Sequence, residues 1–419
     1  MANVVLLGTC DTKLEELLYL REQILLSNEI DQVILMDVGR TPVENKAITV
    51  SQSMLTEQYG GGKKPSDLPR GELIKFMSEC ATESVRTWYK HGMIHAIVAA
   101  GGSGATSLAA PVMRDALPIG FPKLIVSTVA SGDTGPYVGE TDITMMYSVV
   151  DIAGLNQVLR DVLANAGAAI AGAAVAYRKR QEQKLVFPLQ TTAATTKRRV
   201  GITMFGVTTP GVDAIRRHLE SVYPVETFVF HATGHGGKAM ERLIREGQLD
   251  AVLDLTTTEV TDHITGGVMS AGPDRLSAAA ASGIPSIVSL GATEMTNFGP
   301  KTTVPEKFNS RKLYEHNPVV TLMRLSEDEC RQIGEFICEK LKAAKDPKMV
   351  QVWIPQGGLS MLSTKGAPFE DTQADEVLFE TVRKGLEGSG IQVVEDERDV
   401  NDSGFAKDIA EALANLMGL

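Results

Sequence analysis

"NVVLLGTCDTKLEELLYLREQILL", residues 3–26, changes period part-way along. Residues 3–9 hold the continuous apolar run Val4–Leu7, the pattern of a strand buried on both faces. From residue 12 the apolar positions Leu14, Leu17, Leu18, Ile24 and Leu25 fall at helical spacing. A buried strand leading straight into an amphipathic helix is the repeating unit of an α/β fold. Strand-like runs follow at 32–38, 96–102, 123–128 and 142–148, so a parallel sheet with helices on both faces is expected. Residues 39–70, with "YGGGKKPSDLP", read as a long irregular connection, either a lid or disordered.

The same pattern restarts at "VGITMFGVTTPGVDAIRRHLE" (200–220), again strand, Gly, Thr-containing turn and helix. Further strands are expected at 227–230, 251–257, 285–290, 319–325, 349–355 and 391–396, with helices near 210–220 and 238–247. Between the halves, residues 178–199 are polar, basic at both ends and rich in Thr. The expected organisation is a domain over 1–180, a linker over 181–198 and a domain over 199–419. Both domains read as doubly wound and Rossmann-like, mostly parallel, with loops facing an interdomain cleft.

Bulk properties narrow the function. The chain has 419 residues, 43% hydrophobic and 22% charged, the composition of a globular protein. A net charge of −11 and 5% aromatic residues argue against a nucleic-acid partner. Four scattered cysteines suit a reducing cytoplasm, and the N-terminus lacks the basic n-region of a signal peptide. The most membrane-like stretch, residues 162–177, is shorter than the roughly 20 residues of a span. It reads as a buried helix whose small residues let a neighbour approach, at a subunit contact for instance.

In the first half, four loops should emerge at the carboxyl edge of the sheet: 8–12, 37–40, 101–107 and 127–139. All are built from small, hydroxyl-bearing or acidic residues, which suits a polyanion carrying sugar hydroxyls. In "GGSGATS", Gly101, Gly102 and Gly104 free backbone N–H groups, and a helix starting near Ala105 adds its positive end. Ser103, Thr106 and Ser107 offer hydroxyls. The alternative is a plain strand-to-helix turn. The loop lacks the third glycine of G-x-G-x-x-G, which disfavours NAD. Asp37 can take ribose hydroxyls or cap a turn. Thr12 and Glu15 fit a capping box, with Thr9 and Asp11 just before it; Asp11 would face phosphates only through a bridging Mg²⁺ ion, so capping is the leading reading. The last loop offers Ser127, Thr128, Ala130, Ser131 and Gly132.

In the second half, "ATGHGGKA" (232–239) nearly matches a P-loop, with Gly237 and Lys238 in place after Gly236 but Ala239 where the Mg²⁺-binding hydroxyl belongs. It is an anion-site candidate second to the first-half loops. His231 and His235, with Asp254, Glu259, Asp262 and His263, resemble metal ligands, but the two histidines sit in a turn and no metal site is assigned. Thr257, Glu259, Asp262 and His263 remain cleft candidates, with an acid–base role open for Glu259 or His263.

The strings "GTCDTK", "GGSGATSL", "PIGFPKLIVSTVASGDTGPYVG", "VVDIAGLN", "VFHATGHGGKAME", "LDLTTTEVTDHITGGVM" and "IPQGGLSMLSTKGAPFEDTQAD" resemble the Tm-one-like family, and the match runs through nearly the whole chain. The resemblance implies two Rossmann-like domains, an ATP site in the first, and a homodimer. By motif it places the nucleotide on Thr9 to Thr12, Gly101 to Thr106 and Ser127 to Gly132. The viral inhibition associated with plant members is not carried to this chain. Ala105 stands where the family often has Gly, and His235 departs from its pattern. Two functions follow as expectations: a nucleotide-binding protein without turnover, or an ATP-dependent enzyme acting on a second small substrate.

Overall fold

The computed structural model describes residues 1–186 and 197–419, in two compact units, 1–191 and 192–419. Residues 187–196 of the expected linker lie outside the described residues.

The first unit contains β1 (Ala2–Gly8), β2 (Ile30–Asp37), β3 (Ile48–Val50), β4 (Ala96–Gly101), β5 (Lys123–Ser127) and β6 (Thr144–Tyr147). They form one parallel sheet in the order β3-β2-β1-β4-β5-β6, the doubly wound order with its switch between β1 and β4. Its helices are α1 (Cys10–Leu25), α2 (Gln52–Tyr59), α3 (Arg70–Lys90), α4 (Ser103–Ala116), the short α5 (Gly135–Val138) and α6 (Gln157–Val186). Alternation along β1 divides the core: Val5 and Leu7 pack with α3 and α4, whereas Val4 and Leu6 pack with α1 and α6.

Two expectations change here. The irregular connection at 39–70 holds β3 and α2, the latter started by Ser51, whose side chain accepts from Met54 N. A three-residue strand is too short to show a period. The apolar stretch at 162–177 belongs to a much longer helix, and Gln157–Gln183 is long and apolar enough, by length and composition, to cross a membrane. One face, with Leu159, Leu163, Ala166 and Ile170, is buried in the core of the first unit. The neighbour that its small residues admit is α1: a Cβ on Gly167 would stand 2.7 Å from Gln23 Cβ.

The second unit contains β7 (Arg198–Met204), β8 (Val225–His231), β9 (Ala251–Thr256), β10 (Ser286–Gly291), β11 (Met295–Phe298), β12 (Leu313–Asn317), β13 (Val320–Arg324), β14 (Val350–Pro355) and β15 (Gln392–Asp396). Six of them make a parallel sheet, β15-β14-β10-β9-β7-β8. Counted within the unit this is 2-1-3-4-5-6, the other common doubly wound order. Helices α7 (Thr209–Val222), α8 (His235–Arg245), α9 (Thr258–Thr265), α10 (Ser277–Ser282), α11 (Glu327–Lys342), α12 (Thr372–Leu386) and α13 (Ser403–Leu416) cover it. Strands β11, β13 and β12 form a separate antiparallel sheet, an exception to the expected parallel pairing; of the three, the sequence pattern marks only β13.

Candidate functional site

At the switch point of the first sheet the loops after β1 and β4 lie side by side and open into a cleft of about 380 Å³. Its lining includes Thr9, Asp11, Thr12 and the whole run Gly101–Ala105. The glycines have separate reasons. A Cβ on Gly101 would stand 2.4 Å from Ala105 Cβ, so the turn closes only without it; a Cβ on Gly104 would point into the cleft, 3.2 Å from an Arg70 nitrogen. Helix α4 starts at Ser103, two residues earlier than expected, so Ser103, Gly104 and Ala105 are its first turn and their N–H groups lack intrahelical acceptors.

Three cations that the motif reading does not single out complete the cleft: Lys13, Arg40 and Arg70. Arg40 is held by the carbonyls of Ser66 and Leu68, at 3.1 and 2.9 Å. The other wall is apolar, with Val38, Leu73, Ile74 and Leu108. An anion-attracting end beside an apolar strip suits a ligand that carries phosphate on a planar body.

The other expected residues support the cleft from behind. Asp37 is fully buried, and its Oδ1 accepts from Cys10 N at 3.0 Å and Gly39 N at 2.9 Å; burial pushes its carboxyl up. It ties the two loop starts together. Asp11 does not cap α1. Its Oδ2 accepts from Arg40 N, Thr41 N and Thr41 Oγ1 at 2.8–3.1 Å, fixing the loop after β2. The expected capping box on Thr12 and Glu15 is likewise replaced: the helix starts at Cys10, Thr9 stands at its N-cap, and Thr9 Oγ1 lies 2.9 Å from Thr12 Oγ1. Thr106 and Ser127, both fully buried, share a hydrogen bond of 2.6 Å and lock the loop after β4 to the loop after β5. Thr128 donates its N–H to Gly101 O at 3.4 Å. Thr128, Ala130, Ser131 and Gly132 are not in the lining of the cleft.

The second unit's near-P-loop is different. His235, Gly236, Gly237 and Lys238 are the first turn of α8, with Gly234 at its N-cap at φ 91°. The nest of N–H groups is already filled from inside: Glu259 Oε1 accepts from Gly234 N at 2.7 Å and Gly237 N at 3.0 Å. A Cβ on Gly237 would stand 1.9 Å from Glu259 Oε2, so glycine here admits a carboxylate of the same chain. That carboxylate pairs with the fully buried Arg275 at 2.8 Å, and Arg275 also binds Asp254 at 2.6 and 2.5 Å and Glu241 at 3.3 Å. Burial pushes the Glu241 carboxyl up, while the surrounding carboxylates hold Arg275 well above its ordinary value against its own desolvation.

Asp262 is fully buried as well, accepting from Met269 N and Asn297 N, both at 2.8 Å, and desolvation raises it to about 7. It anchors the turn after α9 to β11. Thr257 is buried with its hydroxyl on Ser289 O at 3.1 Å. His263 packs on the Phe336 ring at 5.6 Å, and the exposed His231 meets Phe205 edge-on at 5.8 Å. Among the described residues no group of three or more His, Cys, Asp or Glu is placed to hold a metal ion. Thus four of the second-half candidates, Gly237, Thr257, Glu259 and Asp262, are packing and anchoring groups.

A family model described as the N-terminal domain of the uncharacterised protein family UPF0261 matches residues 2–179, and its C-terminal counterpart matches 197–417. The UPF0261 protein of Clostridium tetani is 42% identical, with 99% of each chain covered. The ToMV resistance protein Tm-1(GCR237) of Solanum lycopersicum is 38% identical over 99% of this chain, which spans 56% of that protein. Among solved structures, a UDP-N-acetylglucosamine 2-epimerase from Rickettsia bellii aligns over 63% of this chain and 77% of its own, at 12% identity. Its TM-score is 0.21. Matched over both domains and by relatives of its full length, the chain belongs to the UPF0261 family, to which the tomato Tm-1 protein is similar over about half its length.

Proposed function

We propose that the first unit binds ATP in the cleft at its β1–β4 switch point. The observation that carries this is the meeting of the open N-terminal turn of α4 with Lys13, Arg40 and Arg70 in one cleft of about 380 Å³. Phosphates are favoured at a helix N-terminus and by guanidinium groups. The strip of Val38, Leu73, Ile74 and Leu108 offers the base an apolar face. Mg²⁺ enters this reading as the nucleotide's own counter-ion, because Asp11 Oδ2 already accepts three hydrogen bonds.

Binding without turnover is favoured over an ATP-consuming enzyme by the fate of the expected acids. Glu259 and Asp254 are engaged with Arg275, and Asp262 holds backbone N–H groups. Calorimetric titration with ATP, with and without Mg²⁺, tests the reading beside a Gly104→Val variant, whose side chain would fill the cleft. Undiminished binding in the variant, or none in the wild type, would overturn it. Steady ADP release would decide for the enzyme.

A further inference from the structure

A chamber of about 500 Å³ at the opposite edge of the first unit's sheet has no part in the proposed nucleotide site. It lies where β1 and β4 begin and where α3 and α6 end, and is lined by Tyr89, Lys90, His95, Tyr177, Arg178 and Glu182 among others. Tyr89 and Tyr177 form an aromatic wall, each packed on Phe121 at 5.6 and 5.0 Å between ring centres. The Tyr177 hydroxyl is hydrogen-bonded to Tyr89 and Gln181, and burial pushes it up to about 12, so it stays a neutral phenol.

The polar lining of this chamber includes an imidazole, a guanidinium and an ammonium group. His95 Nδ1 accepts the backbone N–H of Asn3 at 3.0 Å, which leaves the proton on Nε2. Burial and the nearby Arg178 guanidinium both lower the imidazole, keeping it neutral. Arg178 places Nη1 on Glu182 at 3.0 Å, while its buried Nε has no hydrogen-bond partner among the described residues. Lys90 adds a second cation at the end of α3, and the one acidic group in the lining, Glu182, is already paired with Arg178.

We propose that this chamber is a second small-molecule site, for an aromatic carboxylate whose ring lies on Tyr89 and Tyr177 and whose carboxylate takes the Nε2–H of His95 and pairs with the Arg178 guanidinium. The volume is in the range of ordinary ligand sites, and a planar anion matches an aromatic wall beside cationic and N–H groups. Standing at the end of the sheet away from the proposed nucleotide cleft, it neither depends on that reading nor competes with it.

Saturation-transfer NMR on the full chain, with benzoate, cyclohexanecarboxylate and inorganic phosphate as probes, tests the site. Benzoate should bind at millimolar concentration or tighter, at least fivefold better than either other probe. Arg178→Met and His95→Phe should each weaken it at least fivefold. Lys90→Met, at an exposed helix end, should weaken it about twofold and so reads the site even if the buried variants fold poorly. No saturation by benzoate, equal binding of all three probes, or affinity indifferent to Lys90 and Arg178 would each overturn the proposal.

Discussion

The runs Gly101–Ala105 and Gly234–Lys238 are both glycine-rich starts of helices that follow parallel strands, yet the structure uses them in opposite ways. At α4 the first turn faces a cleft rimmed by three cations. At α8 the equivalent position is occupied by the Glu259 carboxylate, itself paired with a buried arginine. The same local sequence chemistry therefore makes an open anion site in one unit and a self-satisfied joint in the other. What separates them lies far along the chain: Arg70 approaches the first, and Glu259 fills the second.

The comparison can be broken at several points. The largest effect is expected at Arg275→Met, which would leave Asp254, Glu259 and Glu241 buried together without a counter-charge. Breaking such a cluster costs about 3–5 kcal/mol, read as a lower urea midpoint. Next comes pH. Glu294 is fully buried, and desolvation raises it to about 7, so the folded chain keeps a proton that the unfolded chain releases near the ordinary carboxyl value. Its contribution is fully present below about pH 4 and is lost as pH rises toward 7, by roughly 3 kcal/mol at most. Glu294→Gln should flatten the difference in urea midpoint between pH 5 and pH 8; an unchanged slope would show that Glu294 titrates normally.

Effects at α4 should be smaller and confined to ligand. Gly104→Val is expected to weaken ATP at least about thirtyfold, about 2 kcal/mol, with the urea midpoint little changed. Arg70→Met should weaken ATP about tenfold and reduce the dependence of affinity on salt. The pair Glu259→Gln and Arg70→Met sharpens the contrast: the first should shift stability and leave ATP affinity alone, the second the reverse.

Much of the architecture was legible because buried parallel strands are continuous apolar runs, as in Val4–Leu7 and Ile97–Ala100, and the helices between them keep their period. The loops after β1, β2 and β4 were legible together because their residues are too small and polar to close a core, whereas residues 128–132 after β5 stand outside the cleft lining. What could not be read was partnership. Asp11 looks like a cap from its neighbours, but its hydrogen bonds go to Arg40 and Thr41. Glu259 looks like a free acid because nothing near it in sequence announces Arg275. The strands β11 and β12 escaped because short runs in an antiparallel sheet resemble loop sequence. Arg70 escaped because it begins a helix with no motif of its own.

The two strand orders bear on how the chain came to have two units. A tandem copy of one unit would carry its winding with it, third strand included. Here the third strand of the first unit continues outward beyond the second, whereas the third strand of the second unit crosses to the other side of the first. Converting one arrangement into the other requires a strand to leave one flank of the sheet and insert on the other. The similar openings at residues 4–22 and 200–220 are therefore better taken as one solution reached in two frames, a strand that must hand its chain to a helix within a few residues, than as the trace of a simple doubling.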